Sequence, residues 1–174
     1  MARSRRIAAS AKTVSKKLRA ARLCGSLLLL PLVAVQGGLT RRRVPRLPSA
    51  KAPHHGATAG RGPLLRLLAI GESSISGVGL ATGEETVAAT TARSLTKMTN
   101  RSVAWRAHGL TGATVREGLD RLLPALASEP ADVVIVGFGV NDAMAYRSPS
   151  RFADDLETLV RAVRERVGEA VVVI

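Results

Sequence analysis

The sequence predicts an α/β protein, a three-layer α/β/α sandwich around a parallel sheet. Three observations lead there. From residue 64 onward, short apolar runs alternate with segments whose apolar residues recur every three to four positions. Two of the runs, residues 67–79 (LLAIGESSISGVG) and 133–142 (VVIVGFGVND), stop abruptly in glycines and small polar residues, as buried parallel strands do where they leave a sheet. The third is charge. Residues 1–60 hold 13 of the 26 Lys and Arg and none of the 13 acids, so the remaining 114 residues are electrically balanced. That stretch is long enough for one domain with a modest core.

Taken in order, residues 64–70 form the first strand. Gly83 precedes a helix over residues 84–98, with Val87, Leu95 and Met98 turned inward. Residues 102–107, which include Trp105, form the second strand. Val115, Leu119, Leu122, Leu123 and Leu126 follow the helical period and mark a second helix that Pro130 stops. Residues 132–136 are the third and most apolar strand. Phe152, Leu156, Leu159, Val160, Val163 and Val167 line a third helix, with Ser148-Pro149-Ser150 at its start and Gly168 at its end. Residues 170–174 open a fourth strand. No internal repeat is visible.

The leader before this domain divides in three. Residues 1–22 are basic and polar, residues 23–39 are apolar, and residues 40–62 are rich in Arg, Pro and Gly and read as a linker. The apolar segment is 17 residues long and contains Pro31, Gly37 and Gly38. That is short for a spanning helix, which needs about 20. It reads as a membrane anchor or, alternatively, as the core of an export signal. Eight bases before it against five in residues 40–60 lean toward an N-terminus held inside. The net charge of +13 belongs to the leader and gives no support to nucleic-acid binding by the domain. The single cysteine, Cys24, permits no intrachain disulfide.

In a parallel α/β sheet, ligands bind at the carboxyl ends of the strands. Ser73, Gly112 and Asn141 each fall just past one of the first three strands, so they are expected to converge. A serine and an amide delivered there suit a nucleophile and a donor to an oxyanion. The chain resembles the SGNH (GDSL-type) hydrolases in three blocks in order: Gly71-Glu72-Ser73, Thr111-Gly112-Ala113-Thr114 and Gly139-Val140-Asn141-Asp142. The resemblance covers residues 64–174 and implies a flavodoxin-like fold of the SGNH type. It implies a serine esterase with Ser73 as nucleophile, its oxyanion held by the backbone N–H groups of Ser73 and Gly112 and by the Asn141 amide. A small-molecule, lipid or glycan ester is then the substrate, and no cofactor or metal is implied. Glu72 is expected to organise its loop, and Asp142 to accept backbone N–H bonds that hold the Asn141 loop.

The chain departs from the family pattern in two ways. Glu72 stands where the family has aspartate, one methylene shorter. The family's Asp-x-x-His block, which supplies the general base, is absent, and the sequence stops within the apolar run at Ile174. This is read as an N-terminal fragment, inactive on its own. His108, the domain's one histidine, is a weak candidate for the missing base. The competing function is a non-catalytic descendant of the fold that binds an ester-bearing glycan or lipid. A nucleotide-binding domain fits poorly, because Gly77-Val78-Gly79 and Gly83 miss the dinucleotide fingerprint by one residue and no glycine-lysine P-loop exists. Residues 71–75 also fail the nucleophile elbow, with Ile75 in place of its last glycine.

Overall fold

Strand-forming runs and helical periods assemble into one five-stranded sheet with helices on both faces. The computed structural model describes residues 31–33, 35–40, 43 and 45–174, and the chain divides into two units, Met1–Arg46 and Leu47–Ile174. In the second unit the elements are β1 (His55–Thr58), β2 (Gly62–Gly71), α1 (Ser73–Ser76), α2 (Val87–Thr99), β3 (Arg101–Gly109) and α3 (Val115–Glu117). They continue with α4 (Leu123–Ala125), β4 (Val133–Gly137), α5 (Val140–Met144), α6 (Pro149–Val167) and β5 (Val171–Val173).

The sheet order is β1-β3-β2-β4-β5. β2 lies between β3 and β4, parallel to both, with Leu67 opposite Trp105 on one side and Val133 on the other. The four parallel strands, counted along the chain, therefore run 2-1-3-4, a flavodoxin-like order whose direction switches between β2 and β4. Alternation along β2 sends Leu68 and Ile70 to one face and Leu65, Leu67 and Ala69 to the other. The first set packs with Val134 and Val136 against Leu159, Val163 and Val167 of α6. The second packs with Val103 and Trp105 against α2. Burial on both faces is why β2 reads as an unbroken apolar run.

Three expectations need correction. Residues 47–62 are part of the domain, where a linker had been expected. Ala50 is buried, and β1 pairs antiparallel with β3, covering an edge that would otherwise present unpaired backbone groups. Gly56 of β1 lies flat on the Trp105 indole, where a Cβ would sit 3.0 Å from the ring. Composition rich in Gly, His and Pro concealed this strand.

Helix α2 turns Ala88, Ala89 and Ala92 inward with Leu95 beside them, while Val87 and Met98 are exposed. Small residues at i, i+1 and i+4, with Leu95 at i+7, form the contact stripe, so size was a misleading guide to direction. The second expected helix is broken. Between α3 and α4 a π turn runs over Gly118–Leu122, with Leu123 N–H donating to Gly118 O. Pro124 has no N–H to give Asp120, which removes the ordinary i→i−4 bond at this point. The segment ends at Leu126, short of Pro130.

Helix α6 matches expectation closely. Ser148 caps it by accepting from Arg151 N–H, Pro149 opens it and Gly168 closes it. Of the apolar leader segment, residues 31–33 and 35–39 are helical and exposed, and residues 23–30 and 34 lie outside the described residues, as does the basic segment 1–22. Among the described residues no helix is long and apolar enough to cross a membrane.

Candidate active site

Three loops leave the carboxyl ends of β2, β3 and β4, whose last residues Gly71, Gly109 and Gly137 lie level in the sheet. All three are glycines because α1 comes down almost onto the strand ends. A Cβ at Gly71 would lie 2.6 Å from Ile75 Cγ1 of α1 and 2.3 Å from Gly137 O of β4, and one at Gly109 would lie 2.3 Å from Ser76 N. Backbone bonds lace the loops together: Glu72 N–H donates to Gly137 O at 2.8 Å, and Leu110 N–H to Gly71 O at 2.9 Å.

Ser73, half-buried, is the first residue of α1 and follows the buried Glu72. The Glu72 carboxylate crosses to the loop after β4. It accepts the backbone N–H of Val140 at 3.1 Å and of Asn141 at 3.2 Å, and it also accepts Asn141 Nδ2. The same Nδ2 donates to Ala113 O at 3.2 Å, in the loop after β3. Asn141 therefore joins the Ser73 loop to the Gly112 loop. Both neighbours of its amide are acceptors only, which fixes nitrogen and not oxygen toward them.

Asp142, also buried, secures the other side of this junction. Its Oδ2 accepts Val115 N–H at 2.9 Å. Its Oδ1 lies 3.2 Å from Arg147 Nε, an ion pair in which the N–H is poorly aimed for a hydrogen bond. Arg147 reaches on to Asp155 of α6. The backbone N–H that Asp142 accepts comes from the loop after β3, so this carboxylate ties the Asn141 loop to its neighbour. Thr114 and Glu117 form a reciprocal cap at the start of α3. Bonds from the Thr114 backbone N–H and hydroxyl hold the Glu117 carboxyl below the usual carboxylate range.

Gly112 has φ +81°, and no atom lies within 4 Å of where its Cβ would be. The left-handed backbone favours glycine here, and the space beside it is open to a ligand. His108 pairs in register with Ile70, so alternation puts it on the α6 face with Arg106. Among the described residues no imidazole is hydrogen-bonded to Ser73. Burial first, then the charges of Arg106 and His54, push the His108 imidazole below its ordinary range. A cleft of about 590 Å³ beside α1 is lined by Ile75, Ser76, Gly109, His54 and His108, whereas one of about 810 Å³ lies far from the strand ends along α6.

Two features of the site were not anticipated. The reach of Glu72 onto the Asn141 side chain had no signal beyond the extra methylene. Arg147 sits in a polar loop without periodicity, and its pairing with Asp142 and Asp155 explains its position.

The sequence profile of the GDSL-like lipase/acylhydrolase family matches residues 69–174. Among solved structures, the crystal structure of AlinE4, an SGNH-hydrolase family esterase, is similar at 27% identity with a TM-score of 0.53, over 64% of this chain and 59% of that one. The crystal structure of TesA is similar in fold, at 22% identity and a TM-score of 0.52, over 62% of this chain and 58% of that one. The chain thus spans 59% and 58% of the lengths of these two proteins. No curated protein matches it.

Proposed function

The chain belongs to the GDSL-like lipase/acylhydrolase family, and from that premise we propose that it carries the nucleophile and oxyanion-binding parts of a serine ester hydrolase. Ser73 Oγ attacks the carbonyl of an acyl or acetyl ester and its proton passes to a general base. The ester C–O bond then breaks, the alcohol leaves, and water later releases the acid from Ser73. The oxyanion formed on the way is held by the N–H groups of Ser73 and Gly112 and by the Asn141 amide. The observation that carries this reading is the position of Asn141, whose Nδ2 is bonded both beside Ser73, at Glu72, and beside Gly112, at Ala113. A small acyl ester, free or borne on a lipid or glycan, is the substrate class. The apolar stretch 23–39 is carried as a membrane anchor or export signal, to be tested by membrane fractionation of the full chain.

No Asp-x-x-His block occurs in these 174 residues, and His108 does not bond Ser73, so residues 1–174 alone should show no turnover. Imidazole added as an external base supplies the missing proton acceptor. With p-nitrophenyl acetate and imidazole, acylation above the imidazole background should appear and should vanish in Ser73→Ala. Asn141→Ala should slow it by about 10²–10³ with little change in KM, because the amide binds charge present only in the transition state. A rate identical in the wild-type chain and Ser73→Ala sinks the proposal. It leaves the second reading, which the absence of an imidazole bonded to Ser73 among the described residues favours: an ester-binding descendant of the fold that holds its ligand without cleaving it.

A further inference from the structure

We propose that Glu72 is a positioning residue for the oxyanion hole, fixing which way the Asn141 amide faces; this rests on the reading of Ser73 and Asn141 given above. A primary amide has two N–H hydrogens. In Asn141 one goes to the Glu72 carboxylate and the other to Ala113 O at 3.2 Å. These acceptors are unequal. Hydrogen bonds to a carboxylate are roughly twice as strong as neutral ones, so the Ala113 carbonyl is the partner an incoming oxyanion displaces. That carbonyl lies one residue from Gly112, whose N–H is the neighbouring donor in the proposed oxyanion site. Ala113 O therefore occupies the donor at rest, and Glu72 holds the amide still while the exchange happens.

The choice of residue follows from donor counting. Three N–H groups, those of Val140, Asn141 and the Asn141 side chain, converge on two oxygens. A carboxylate has acceptors only and satisfies all three. A glutamine would turn an NH₂ toward at least one of them, and the Asn141 amide could then rotate and present its own oxygen to the pocket. In this chain the glutamate carboxylate reaches the backbone N–H groups and the side-chain amide together. Buried as it is, Glu72 has no water to replace a lost partner.

The test is a double-variant cycle on the full chain, read in two ways. In the imidazole-assisted acylation of Ser73, Glu72→Gln should lower the rate by about 10–10² with KM unchanged. The pair Glu72→Gln with Asn141→Ala should be no slower than Asn141→Ala alone, since both act through one amide. Losses that multiply, or a lowered melting temperature with an unchanged rate, overturn the proposal. The second readout needs no chemistry. In ¹⁵N spectra, both Asn141 Nδ2 hydrogens should be protected from exchange in the wild-type chain, and one should exchange faster in Glu72→Gln. Unchanged exchange overturns the proposal even if no ester is ever cleaved, whereas loss of acylation in every protein with the exchange effect intact overturns only the esterase reading. Should Glu72→Gln fail to fold, Glu72→Met, which removes the acceptors at similar volume, is read in the same cycle with the same expected direction.

Discussion

On its two faces the sheet of this domain buries hydrocarbon: Leu68 and Val134 against Leu159 and Val163 on one side, Leu67 and Val103 against Ala88 and Ala92 on the other. At its carboxyl end the buried groups are Glu72, Ser76, Thr86 and Asp142, all in or after the loops that leave the strands. The faces are held by area removed from water, which is non-directional and indifferent to which neighbour supplies the contact. The loop end is held by hydrogen bonds with named partners, each of which leaves an unpaid desolvation when removed. The faces should therefore lose stability by degrees, and the loop end should lose geometry.

The largest break in this comparison should come from the faces. Leu68 is wholly buried in the middle of the cluster beneath α6. Leu68→Ala should cost about 2–5 kcal/mol in urea unfolding, the transfer of the side chain plus the cavity it leaves. Folded Leu68→Ala should still acylate Ser73 at the wild-type rate in imidazole. A slowed reaction in the fully folded variant would show that the faces also set site geometry.

Asp142→Ala attacks the other region and should cost about 3 kcal/mol, because it leaves Arg147 and the Val115 N–H without their buried partner. Unlike Leu68→Ala it should also slow acylation, since the Gly112 and Asn141 loops are tied through it. Equal stability loss with an unaltered rate would mean that Asp142 serves only the fold. Gly112→Ala should be milder, about 1–2 kcal/mol for an alanine held at positive φ. Its space is open. The loss should therefore be the same for Gly112→Ala and Gly112→Ser, whereas a steric site would discriminate by size.

The same contrast explains what the sequence disclosed. Faces announce themselves by period, and α6 was readable to its caps because Ser148, Pro149 and Gly168 bracket a clean apolar stripe. β2 and β4 were readable because burial on both sides leaves no room for polar residues. β1 was not, since an edge strand needs only backbone groups and His55, Gly56, Ala57 and Thr58 carry no pattern. The stripe of α2 was misassigned because alanine contacts are as inward as leucine contacts and less conspicuous. At the loop end, Ser73, Gly112 and Asn141 could be placed past strand ends, but nothing in their spacing reveals that Glu72 spans from one loop to the next. A hydrogen bond between residues 69 positions apart leaves no local trace.

The smallest expected effect lies where the two regions meet. His108 is at the end of β3, half-buried, and its imidazole is held below its ordinary value of 6.5 by burial, then by Arg106, then by His54. Well above pH 6.5 the imidazole is neutral in both folded and unfolded chains and contributes nothing to the pH dependence. Below that value the unfolded chain takes up a proton that the folded chain resists, so stability falls as pH drops from 6.5 until the lower folded pKa is passed, and then levels off. Because the ring is partly solvated, the loss should stay below about 1 kcal/mol. Urea unfolding at pH 7.5 and pH 5 measures it, and His108→Gln should remove this part of the difference while leaving the carboxylate contribution at lower pH. If His108→Gln left the pH 5 loss untouched, the imidazole would be titrating as freely as in the unfolded chain. The strand end would then belong with the solvated loops and not with the buried faces.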